Sequence, residues 1–139
     1  MQYVILIATS LHVLAAIFWA GSTMGLSASG SMPGKSLFLR QMAAATAAVL
    51  AGGYLWCKVH AGVFQATEKA LAAGAACAVL AFAMQLAIAG PAVWKLHRET
   101  GSTEKAGERI LVAYRLASAL LVVAAVMMGA SKYAGVLGG

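Results

Sequence analysis

The sequence predicts an all-α integral membrane protein, a single four-helix bundle with antiparallel up-down topology. Three observations carry that expectation. Apolar residues make up 62% of the 139 positions, and only 10% are charged. Four long runs are almost free of charge, and the segments between them are short and polar. An ordinary soluble domain carries about a quarter charged residues. A core of this size could not hide so much apolar surface, because small domains leave much of their chain exposed. The bilayer has to supply the missing apolar solvent.

The elements follow in order. No charged side chain occurs before Lys35, and the apolar part of this stretch predicts a first helix over 3–26. The start, Met1-Gln2-Tyr3-Val4, lacks the cationic region of a cleavable signal, so this helix is expected to be retained. The connection 27–34 contains Ser, Gly and Pro33, and a second helix is expected over 36–58. After a connection containing Gly62, a third is expected over 69–95, with Gly90-Pro91 placed to kink it. The polar segment 97–107 follows. Ser102 or Thr103 can cap the fourth helix, over 108–132, with Glu104 and Glu108 at its positive end. A helix needs about 20 residues to cross the hydrocarbon core, and each run suffices. The alternation of a transmembrane barrel is absent.

The net charge of +6 is distributed as loop marking. Loops one and three with their flanks hold Lys35, Arg40, Lys95, Arg98, Lys105, Arg109 and Arg115, against Lys58, Lys69 and Lys132 on the other side. The positive-inside bias then places both termini outside the cytoplasm of a bacterial-type inner membrane. Arg115 can snorkel to the inner interface. No basic helix interleaved with aromatics appears, which argues against nucleic acid as a partner. Gly21 and Gly25 form a GxxxG pair that reads first as packing within the bundle and second as a dimerisation face. A homodimer or a larger membrane complex stays open.

His12 is the most informative residue. It lies roughly 13 Å along the first helix, at 1.5 Å per residue, where an ionisable group is costly and marks a site by default. Ala16, Trp19 and Thr23 share its face. The same half of the bundle would hold Trp56, Cys57, His60, Lys69, Cys77, Met127, Met128 and Lys132. Imidazole, thiolate and thioether suit copper, especially Cu(I), so His12, His60, Cys57, Met127 and Met128 form the candidate metal set. Imidazole with Met, Lys or a second His would equally hold haem iron. A His satisfied by a neighbouring helix, and methionines that fill gaps, are the plainer readings. Cys57 and Cys77 have no zinc spacing and read as packing residues. His97 is expected at the opposite interface beside the belt residue Trp94. Gln85 is expected to make an interhelical hydrogen bond.

There is no Asp, and Glu68, Glu99, Glu104 and Glu108 all lie at interfaces or in loops. Carboxylate-driven proton pumping and di-carboxylate hydrolysis therefore lack machinery. No phosphate-binding glycine loop or nucleophile elbow appears.

The run Leu11-His12-Val13-Leu14-Ala15-Ala16-Ile17-Phe18-Trp19-Ala20-Gly21 resembles the helix-one signature of the copper-resistance D (CopD) family. The related HemJ-type protoporphyrinogen oxidases share its L-H-x-x-A-x-x-x-W-x-G pattern. Lys69 at the start of helix three and Arg115 early in helix four are weaker similarities. The resemblance implies a small four-helix membrane protein with copper or haem b as cofactor. By analogy with HemJ-type proteins, it implies cofactor binding by His12 and Lys69, with His60 as a further candidate. After Gly21, Ser22-Thr23-Met24-Gly25-Leu26 departs from the Leu-Pro-Arg stretch of the HemJ type. The leading expectation is therefore a CopD-like protein that binds or translocates copper. The alternatives are a haem-dependent membrane oxidoreductase or electron carrier, and a structural subunit of a larger complex.

Overall fold

The structure is a computed structural model and describes residues 1–59, 62, 66–98 and 104–137. His60, Glu99, Ser102, Thr103 and the side chain of Lys132 lie outside the described residues. Four helices are present, each long and apolar enough to cross a membrane. They are α1 (Gln2–Ser29), α2 (Lys35–Val59), α3 (Ala66–Arg98) and α4 (Glu104–Leu137). No strand occurs among the described residues. The all-α four-helix bundle is what the hydropathy pattern implies.

Each helix outruns its apolar segment by a few residues. At 1.5 Å per residue, the 34 residues of α4 span about 51 Å, well beyond a ~30 Å hydrocarbon core. The extra turns carry Glu104, Lys105, Glu108 and Arg109, whose exposed side chains can meet water. α1 stops at Gly30, which adopts φ 63 and returns its N–H to the Leu26 carbonyl. Ser31 N–H reaches the same oxygen at 3.1 Å. Only a residue without Cβ enters this left-handed cap freely.

α3 is not uniform. Its α-helical start, Ala66–Met84, passes through a π-helical turn at Gln85–Ala89 before Gly90–Arg98 resumes the α form. Pro91 has no N–H to give to the preceding turn, so a regular ladder cannot run through it. The widened turn absorbs the mismatch where the sequence predicts a kink. Its close is marked by the Gly90 N–H bonding back to the Gln85 carbonyl.

α1 pairs with α2, α3 pairs with α4, and α1 closes the bundle against α4. One end is filled by large side chains: Phe38, Met42, Val93, Ile110 and Tyr114, with Ala89, Ala92, Ala106 and Ala113 between them. The middle is built around Trp19, packed with Ala45, Ala48, Ala81, Ala117 and Leu121. Trp19 stands edge-on to Phe82, with ring centroids 6.1 Å apart. No residue of α1 before Trp19 is buried, and Leu6, Ile7, Leu11, Leu14 and Ile17 all face outward. Acyl chains, not water, are the solvent that tolerates such a surface.

Gly21 and Gly25 do not serve the packing expected of them. Both are exposed, and a Cβ on either would meet nothing within 4 Å. The close approach is made by Gly74 of α3 instead. A Cβ there would sit 3.0 Å from the Ala124 carbonyl oxygen and 3.0 Å from Met128 Cγ.

Candidate functional site

The face of α1 that carries His12, Ala16, Trp19 and Thr23 turns inward, becoming fully buried at Trp19 and Thr23. His12 is half-buried and lies against α2. Its Nδ1 is 2.7 Å from the Ala48 carbonyl oxygen. A carbonyl can only accept, so Nδ1 donates and carries the proton. In the neutral ring Nε2 is then the bare nitrogen. This arrangement, one ring N–H on a backbone carbonyl, is how ligating imidazoles are commonly fixed in tautomer and direction.

Gly52 makes the contact sterically feasible. It lies one turn beyond Ala48, and a Cβ there would come within 2.9 Å of His12 Cε1 and 3.1 Å of Nδ1. The imidazole occupies the notch left by the missing side chain. Any larger residue would push the ring off its carbonyl.

The other candidates are not brought to this nitrogen. Cys57 is exposed, and Cys77 is half-buried; both are free thiols. Lys69 is exposed on the first turn of α3. Met127 is exposed, and Met128 is half-buried in the α3–α4 seam against Gly74, whereas His12 occupies the α1–α2 seam. The expected set of His12, Cys57, Met127 and Met128 is therefore not a formed cluster. Helical phase explains part of this: Cys57 follows Gly52 by five residues, and a step of five turns a side chain away from the face that meets His12. Among the described residues, no group of three or more His, Cys, Asp and Glu could hold a metal ion. His97 stands apart, exposed near Trp94, with Nδ1 donating to the Val93 carbonyl of its own helix at 2.9 Å.

Below His12 on the same stripe lies a polar network that the sequence shows only in part. Trp19 Nε1 donates to Gln85 Oε1 at 2.6 Å, and Gln85 Nε2 donates to Thr23 Oγ1 at 3.1 Å. The indole can only donate, which fixes the way the amide is turned. Gln85 thus makes the interhelical bonds expected of it. A second glutamine, Gln41, is equally buried and was not marked by its setting next to Arg40. Its Oε1 accepts from the Tyr114 hydroxyl, and its Nε2 donates to Ser22 Oγ at 2.9 Å. Through these two amides α1 is tied to α2 and α3, and α2 is tied to α4. The amides carry no charge, so the network orients helices without holding a proton-exchanging carboxylate.

In comparisons with known proteins, no family model, no curated protein and no solved structure matches this chain.

Proposed function

We propose that this multi-pass membrane protein is CopD-like and handles copper, binding or passing it through His12 in the half of the bundle remote from loops one and three. The observation that supports this reading is the His12 ring itself, anchored by Ala48 and the Gly52 notch through Nδ1, which leaves Nε2 of the neutral ring without a proton. One ring nitrogen anchored on a carbonyl and the other bare is the state a ligating imidazole needs. The L-H-x-x-A-x-x-x-W-x-G run supports the same reading, because its His and Trp fall on the one inward face of α1. Cys77 and Met128, half-buried in the same half, are the soft groups from which this chain would complete a Cu(I) site. One anchored imidazole outside any formed cluster suits a cation in transit better than a closed structural site. The charge bias of the loops places this half toward the extracytoplasmic side of an inner membrane.

Less supports haem b. The bare Nε2 could serve iron as well, but Lys69, the second residue implied by the HemJ-type resemblance, is exposed.

The test is Cu(I) competition with a chromophoric chelator on detergent-purified protein, with its visible spectrum taken alongside. The wild type should withdraw copper from the chelator and show no Soret band. His12→Ala should abolish this. Gly52→Ala, which leaves the ligand present but displaces it, should weaken binding by about ten- to a hundredfold. Copper binding that survives His12→Ala would overturn the assignment. A Soret band lost in that variant would move it to haem, and neither cofactor would leave a structural subunit.

A further inference from the structure

At the end of the bundle opposite His12, a groove of about 520 Å³ lies between α3 and α4. Its floor is apolar and small: Ala87, Ile88, Pro91, Ala92 and Ala106. Its rim holds three cations, Lys95, Lys105 and Arg109. Its α3 side carries Ala87 and Ile88 of the π turn and Pro91 just after it, and small side chains, Ala92 and Ala106, complete the apolar lining.

We infer that this groove is a binding site for an anionic phospholipid, with the headgroup phosphate held by Lys105 and Arg109 and the upper acyl chain laid along the apolar floor. Two observations choose this occupant. The first is charge complementarity. Among the described residues the lining holds Lys105 and Arg109 on one side with Lys95 across from them and no carboxylate; Glu104 and Glu108 are exposed on α4 but do not line the groove. Lys105 and Arg109 are spaced i, i+4, so one helix face offers both to a single phosphate. The second is depth. Trp94, 43% exposed, lies on the adjacent turn of α3 with the Lys35 ammonium 3.9 Å from its ring centroid. An exposed Trp bracketed by cations marks the headgroup level of a bilayer. A phosphate at that level meets the rim while its chains meet Ala87, Ile88 and Pro91. Basic pockets between membrane helices are suited to this class of ligand.

The site is independent of the copper reading.

The experiment is native mass spectrometry of the full chain released from mixed micelles containing equal phosphatidylglycerol and phosphatidylcholine. Wild type should retain the anionic lipid about tenfold over the neutral one, given what each basic residue contributes near an anionic headgroup. Lys105→Gln with Arg109→Gln should bring that preference close to parity. Lys58→Gln, at the other end of α2, should leave it unchanged. Ala87→Trp, which fills the floor and keeps every charge, should also reduce retention, while circular dichroism checks that each variant stays helical. Undiminished preference in the double variant would overturn the site. So would equal loss in Lys58→Gln, which would mean diffuse attraction. Displacement of the lipid by millimolar inorganic phosphate would also overturn it, because that would describe a free-anion site.

Discussion

A glycine and a carbonyl determine what His12 can do. Gly52 gives the ring room and Ala48 takes its Nδ1 proton, so the direction of Nε2 is set by α2 and not by α1. His12 was legible in the sequence as a candidate, since an imidazole within a run of apolar residues stands out. Its partner was not, because an alanine carbonyl leaves no mark in a string of letters. The same limit applies to the polar pairs. Gln85 was visible as a lone amide amid apolar residues. Gln41 was hidden beside Arg40 at what looked like a loop flank, and Tyr114 was hidden beside Arg115. Yet all three are buried and bonded to other helices, Gln85 to α1, Gln41 to α1 and α4, and Tyr114 to α2. Trp19→Phe keeps the ring and removes the donor to Gln85 Oε1. It should cost about 1–2 kcal/mol in reversible unfolding in detergent, in the upper range for interhelical hydrogen bonds in membranes. A loss indistinguishable from zero would mean that the Gln85 amide finds another donor.

At the scale of the helices, direction matters more than composition. The GxxxG pair of α1 had the letters of a packing motif but points away from the bundle, whereas Gly74, which belongs to no such pair, carries the tight α3–α4 contact. A small-residue pattern states that a close approach is tolerated, not on which side a neighbour stands. Gly74→Ala should therefore destabilise by about 1–3 kcal/mol, because its Cβ meets a backbone oxygen that cannot step aside. Gly21→Ala and Gly25→Ala should each fall within about 0.5 kcal/mol of wild type, as substitutions on open surface do. The comparison by urea or SDS titration is direct, and a reversed order would contradict the packing described. The kink in α3 was legible from Gly90-Pro91. Its form was not: a π turn placed five residues earlier, bringing Gln85 inward, depends on what α1 offers as a partner.

Across the whole molecule, the two halves of the bundle are built differently. The end with loops one and three is filled by Phe38, Val93, Ile110 and Tyr114 and ringed by cations. The half with His12 is packed through alanine and glycine: Ala48, Ala51, Gly74 and Ala124. Hydropathy alone predicted four crossings, because bilayer thickness and helix rise fix that number. It could not show this asymmetry, which arises from which residues face inward. One half is filled by large side chains; the other, packed closely through small ones, carries the imidazole that the proposed function requires.

That function is tested most directly by the protonation and ligation of one ring. Nitrogen-15 NMR of histidine-labelled protein, with the His12 resonances identified by their loss in His12→Ala, reads both ring nitrogens. The account predicts that the neutral ring carries its proton on Nδ1 and leaves Nε2 bare, with Nε2 alone shifting when Cu(I) is added. A proton on Nε2, or resonances unmoved by copper, would contradict it.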